Sequence, residues 1–267
     1  MSKYLNVFNT LAEYQAFSAS TEYVQPNVAL VKETNVLYYD YGDNKPKVDM
    51  SDYKLETEEI SVGGNKYGNS AITKVNYIPS GITGLTNAFN GYTSLVTAPE
   101  IPNSVTNIES TFYGCISLVN APEIPNSVTS MYYTFRNCIS LVNAPEIPSR
   151  VTDMSSTFYG CSNLVNALEI PNSVTNMTWT FYGCSSLVNA PEIPNSVTNM
   201  IAIFGNCTSL NEVTFLHTTP PSYNNALSGC SKLETIYVPD ESVDAYKTAT
   251  GWSQFASNIK PLSEKTK

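Results

Sequence analysis

Six cysteines, Cys115, Cys138, Cys161, Cys184, Cys207 and Cys230, have the widest chemical repertoire in this chain, and each follows the last by 23 positions. Thiols can bridge, ligate a metal or attack an electrophile. There is no Cys-x-x-Cys, and the only imidazole is His217, so a metal would lack its usual companions. If the six share one register of a repeating structure, parallel β-carbons lie about 4.8 Å apart, whereas a disulfide wants about 3.8 Å. The thiols are therefore expected to stay reduced and to pack as small hydrophobes, which suits a protein made in a reducing cytoplasm. A single histidine also leaves the commonest proton-transfer chemistry without a second partner.

A second row is acidic: Glu100, Glu123, Glu146, Glu169 and Glu192. Like charges stacked unit on unit repel, and the plain reading is a solvated row screened by salt. The sharper reading is a weak oxygen-ligated cation site at Glu123, Glu146 and Glu169, or a basic partner. Asn120, Asn143, Asn166 and Asn189 form a nearby row suited to hydrogen bonding between units. Carboxylate pairs can serve glycosidases, but carboxylates multiplied by duplication say nothing about chemistry. No catalytic residue and no cofactor is assigned.

The positions that differ between units say more. The pair before each Thr-Phe step reads Glu109-Ser110, Tyr132-Tyr133, Ser155-Ser156, Thr178-Trp179 and Ile201-Ala202. The residue after each Phe reads Tyr113, Arg136, Tyr159, Tyr182 and Gly205. With the inward register already filled by Met and Phe, most of these should point outward. Tyr113, Tyr132, Tyr133, Arg136, Tyr159, Trp179 and Tyr182 are thus the candidate ligand-binding residues, of the composition found at recognition surfaces. The competing reading has the rings merely covering neighbouring units.

The elements that position them follow from the period. Phe89, Phe112, Phe135, Phe158, Phe181 and Phe204 recur at the same step as the cysteines, and Leu95 through Leu233 does likewise. Ile124-Pro125 is followed by Val128, then Met131, Phe135, Cys138 and Leu141, all of which point to one interior. Each unit is one coil of a β-rich solenoid. A coil cannot bury its apolar face alone, but about seven stacked coils can. Gly114, Gly160 and Gly183 alternate with Asn137 and Asn206, the choice a left-handed backbone position makes. Pairs such as Pro122 and Pro125 suit corners, so any sheet between coils must be short.

The pattern Phe-x-x-Cys-x-x-Leu followed by Ile-Pro-x-x-Val resembles the BspA-like (Treponema-type) leucine-rich repeats over roughly residues 78–240. That resemblance implies a leucine-rich-repeat solenoid and a non-enzymatic binding role. Leu233 to Pro239 reads as a regular last strand, and Ser242 through Trp252 resembles a helical C-terminal cap of gut-anaerobe members. The central coils carry one residue more between Leu and Pro than the final coil. The fold expected is a leucine-rich-repeat solenoid of 23-residue coils over 61–238, a helical C-terminal cap and tail over 239–267, and a small α+β head over 1–60. In the head, Thr10 and Glu13 make a capping box for a short helix through Phe17. Val28–Val31 and Val36–Tyr39 read as a hairpin, whose second strand offers an edge for attachment or self-association. The head resembles segments that open virion and mobile-element proteins of gut bacteria and their phages.

Composition narrows the partners. Charged residues are 14% of the chain and the net charge is −9, against the clustered cations that nucleic acid demands. No apolar run approaches the roughly 18 residues of a membrane helix. Met1-Ser2-Lys3 leads into Tyr4 and Leu5 without an apolar signal region. With the reduced thiols, this favours a phage virion component of head-fibre or tail-fibre type, whose solenoid contacts a protein or glycan on a host surface and whose N-terminal head binds other virion proteins or itself. The alternative is a BspA-like adhesin at the bacterial cell surface, binding host glycoprotein or matrix.

Overall fold

The computed structural model describes residues 5–8, 27–31, 36–40, 48–49, 73–75, 78, 82–166 and 169–265. From Lys74 onward the chain winds into stacked coils. Parallel bridges join Lys74, Thr97, Asn120, Asn143, Asn166, Asn189 and Glu212 in turn. A second line joins Ser130, Asp153, Asn176 and Asn199. These are single bridges because prolines such as Pro122 and Pro145 remove ladder donors next to them.

Where the prolines stop, the bridges widen into strands. The run Asn211-Glu212-Val213-Thr214 has no proline, and there β5 (Glu212–Thr214) pairs in parallel with β6 (Thr235–Val238). Entering this sheet, the bridge step changes from Asn189–Glu212 to Ile193–Phe215, so one residue is absorbed between them. That is the extra residue the central coils carry. The expected last strand is not last. A further strand, β7 (Ile259–Pro261), pairs in parallel with β6, Ile259 lying opposite Ile236. Ile259 is 23 residues past Ile236, so the period continues into the tail. Between them lie a short helix, α1 (Val243–Thr248), and the fully buried Tyr246 and Trp252.

The interior is built from columns. Phe112, Phe135, Phe158, Phe181 and Phe204 are fully buried, and successive rings from Phe89 stack with centroids 5.4–5.8 Å apart, within the range of favourable offset stacking. Hydrogen bonds between coils run in both directions. On the turn side amides donate forward, as Phe112 N–H does to Thr134 O at 2.9 Å. On the bridge side both directions occur: Thr152 N–H donates backward to Thr129 O at 2.9 Å, and Met154 N–H forward to Asn176 O at 2.8 Å. Buried side chains also donate backward: the Thr157 hydroxyl to Met131 O at 2.8 Å, and the Cys161 thiol to Phe135 O at 3.1 Å. Each Thr-Phe-x-x-Cys segment thereby supplies a second donor to interior carbonyls that already accept a turn amide, as Phe135 O does from Cys138 N–H at 3.1 Å.

All six cysteines are free, five of them buried and Cys230 partly so. Burial is the first cause of their raised pKa values: Cys230 is pushed up to about 11, Cys115 to about 12, and Cys138 and Cys184 well above the ordinary thiol value. A folded value above the unfolded 9.0 means that the protonated thiol favours the fold. This contribution is whole below pH about 9 and is lost as pH climbs through the folded values. Circular dichroism against pH should therefore show stability falling from about pH 9 upward, and alkylation of the native protein should label Cys230 first. Denaturation without reductant should release six titratable thiols; two or fewer would show that they had paired.

In the N-terminal region the strands are β1 (Leu5–Phe8), β2 (Asn27–Val31), β3 (Val36–Asp40) and β4 (Val48–Asp49). β2 and β3 form the expected antiparallel hairpin, and β1 adds in parallel to β2. The free edge expected at Val36–Tyr39 is partly taken: Val36 and Leu37 pair with Asp49 and Val48, which puts β3 inside the sheet order β1-β2-β3-β4. The helix expected from Thr10 to Phe17 lies outside the described residues.

Candidate recognition surface

Each coil reaches its outer edge through a turn with two left-handed residues. One is the Gly/Asn register, with Gly114, Asn137, Gly160, Gly183 and Asn206 at φ between 59° and 74°. The other holds Ser110 (52°), Tyr133 (57°), Ser156 (52°), Trp179 (54°) and Ala202 (46°). Left-handed backbone costs an L-residue roughly 1–2 kcal/mol. A turn choosing for its own conformation would place Asn there, as Asn87 and Asn225 do in the end coils. Asn at those two ends was the signal for this second register, and it pointed to the pair of positions that vary. Tyr133 and Trp179 stand where the local backbone gives them no advantage.

The aromatic positions come together along this edge. The Arg136 guanidinium carbon lies 3.7 Å from the Tyr159 ring centroid, 4.8 Å from that of Tyr133 and 6.0 Å from that of Tyr113. Tyr159 stacks on Tyr182 at 4.9 Å, and the Tyr182 hydroxyl accepts from Asn206 Nδ2 at 2.8 Å. Tyr133 meets Tyr132 edge-on at 4.1 Å and stacks over Tyr113 at 6.3 Å. The row ends at Gly205 for a steric reason: a β-carbon there would lie 2.6 Å from Cδ2 of Tyr182.

Six of the seven candidates thus form one continuous row, its cation held by ring faces. Trp179 is 42% exposed and makes no ring contact among the described residues. The other six are half-buried along this edge and none belongs to the interior core. Ring stacking and the guanidinium contacts cover part of each face. Arg136 Nε is buried without a hydrogen-bond partner. The Tyr132 hydroxyl is pushed up to about 12, first by its hydrogen bond with Tyr133, then by burial and by charges that include Glu109 and Asp153.

The remaining chemistry-bearing groups fall elsewhere. Glu100, Glu123, Glu146, Glu169 and Glu192 are exposed, and Glu192 pairs with Lys265 at 3.0 Å. Among the described residues no group of three carboxylate, thiol or imidazole side chains is arranged to hold a metal. Asn120, Asn143, Asn166 and Asn189 sit on the bridge line. His217 is buried with Nε2 2.7 Å from Val197 O, and burial lowers its pKa, which keeps it neutral at pH 7. Among the described residues no helix is long and apolar enough to cross a membrane.

Stacked coils with a phenylalanine column, single bridges and a variable outer edge define a leucine-rich-repeat protein. The chain belongs to the BspA-type leucine-rich repeat family, whose model matches six copies over residues 85–202 and 178–250. It is similar to the solved structure of a leucine-rich repeat protein from Bacteroides ovatus, with 23% identity, 69% of this chain and 60% of that one covered, and a TM-score of 0.39. It is similar also to a leucine-rich cell surface protein from Faecalibacterium prausnitzii, with 19% identity, 69% and 62% covered, and a TM-score of 0.41. The chain therefore spans about three fifths of the length of either structure. No curated protein matches it.

Proposed function

We propose that the protein is a non-enzymatic recognition protein of a bacterial cell surface that binds a host glycoprotein or matrix component through its outer coil edge. The observation that carries this is the placement of Tyr133 and Trp179 in left-handed backbone, beside an arginine stacked among tyrosines. Solenoid packing needs none of these residues, because the interior columns are complete without them. Tyr and Trp offer large contact area for little rotamer entropy, and Arg adds forked hydrogen bonds. Membership of the BspA-type family supports the surface setting; nothing comparable supports a virion fibre. Residues 1–60 would then serve attachment or self-association, and residues 239–267 would close the end of the solenoid.

The test is the triple variant Tyr132→Ala, Tyr133→Ala, Trp179→Ala. Binding to epithelial cells or immobilised matrix should be abolished, with the melting temperature close to that of the parent. Unchanged binding would reduce the aromatics to covers for neighbouring coils and the solenoid to a spacer.

A further inference from the structure

Across three successive coils lies a hollow of about 480 Å³ lined by Thr106, Asn107, Glu109, Thr129, Ser130 and Arg150. Its size falls in the range of small-molecule sites. Two departures from the repeat make it. The bridge register holds Asn107, Asp153, Asn176 and Asn199 in neighbouring coils, and the smaller Ser130 between them leaves space. Arg150 stands in the register that Ser104, Ser127, Ser173 and Ser196 occupy elsewhere. It is one of only two cations between Val75 and Ser231, the other being Arg136. Arg150 is exposed and makes no ion pair among the described residues.

We infer that this hollow binds a saccharide unit carrying an oxyanion, carboxylate or sulfate, with Arg150 as the anion contact. This deepens the recognition reading and rests on it. The lining is rich in donors. The Ser130 hydroxyl accepts from Tyr132 N–H at 3.3 Å, which leaves its own proton to give. Asn107 Oδ1 accepts from Glu109 N–H at 2.9 Å, so the Asn107 amide nitrogen faces outward work. Glu109 supplies one acceptor for a sugar hydroxyl. The nearby carboxylate of Asp153 is already engaged by Ser155, through N–H at 2.8 Å and the hydroxyl at 2.5 Å, and so competes less for the guanidinium. Charge-assisted bonds from Arg to an oxyanion are the strong ones available here. Neutral hydroxyl groups then fit Thr129, Ser130, Asn107 and Glu109.

The experiment uses the full chain and three polymers: hyaluronan (carboxylate only), dextran sulfate (sulfate only) and neutral dextran. Titration calorimetry should show binding to one or both anionic polymers and none to dextran, weakening as NaCl rises. Which anionic polymer binds assigns the oxyanion. Arg150→Ser and Ser130→Asn restore residues the repeat uses at those registers, so neither should disturb folding. Each should weaken binding by at least about tenfold, Arg150→Ser by removing the charge-assisted contact and Ser130→Asn by filling the space the smaller residue leaves. Equal binding by parent and both variants, or no binding to either anionic polymer, overturns the site. Trp179→Ala lies outside the hollow and separates the two readings. Polymer binding lost in Arg150→Ser but kept in Trp179→Ala supports the hollow whatever the cell assay shows.

Discussion

Phe158→Ala should destabilise the solenoid by about 3–5 kcal/mol, the usual range for a fully buried phenylalanine. Phe158 is wholly buried and sits between Phe135 at 5.8 Å and Phe181 at 5.6 Å, so truncation strips a partner from each neighbour. The site is poorly able to collapse. Its backbone amide is fixed to Thr180 O at 3.0 Å, and its carbonyl accepts from the Cys184 thiol at 3.2 Å. Both coils are thus pinned at the spacing the ring filled, and the cavity stays open. Chemical denaturation read by circular dichroism measures the loss. A change below about 1 kcal/mol would mean that the phenylalanines are not the central column, since buried Phe→Ala changes do not come so cheaply.

Removing residues 239–267 should have a larger effect still: loss of a soluble monomer. β7 covers the outer edge of β6, and without it the row of backbone groups from Thr235 to Val238 would be open to another chain. The segment also brings Trp252, fully buried, against Phe215 at 5.0 Å, Tyr223 at 5.4 Å and Tyr246 at 5.1 Å. The Trp252 ring nitrogen donates to Pro221 O at 2.6 Å. A chain ending at Val238 would therefore bare Phe215 and Ile236 together with a strand edge, the two conditions for end-to-end stacking. Size-exclusion chromatography should find aggregates. A truncated protein that elutes as a monomer and unfolds cooperatively would show that the last coil protects itself.

The columns were readable from spacing because a solenoid asks the same residue of each coil. Cys115 to Cys230 and Phe112 to Phe204 needed only counting. β7 was harder to see: Ile259-Lys260-Pro261 keeps the period, but its coil has lost the Phe-x-x-Cys signature and fills the interior with Tyr246 and Trp252 instead. Of the outer edge, the sequence identified which positions vary, and the structure added how they are held. Tyr159 and Tyr182 lie one coil apart in one register and their rings stack; that Arg136 takes the place of a ring between Tyr113 and Tyr159 follows from the same register. The left-handed backbone at Tyr133 and Trp179 was hidden because local preference argues against it. The thiols do not by themselves distinguish compartments, for a physical reason. Thiols that are buried, protonated and hydrogen-bonded to phenylalanine carbonyls resist oxidation wherever the protein resides.

The two opposed sets of inter-coil hydrogen bonds bear on how such a molecule can change length. Each central coil repeats the same forward and backward donors, Phe158 N–H to Thr180 O as Phe135 N–H to Thr157 O, and Thr175 N–H to Thr152 O as Thr152 N–H to Thr129 O, so an added coil makes the bonds its neighbour makes. Each coil also hands on as many donors as it receives. Whole units can thus be gained or lost by recombination within the gene without unbalancing what remains. The outer residues of each new copy are then free to diverge, and the solenoid becomes a register in which a lineage can record changing partners.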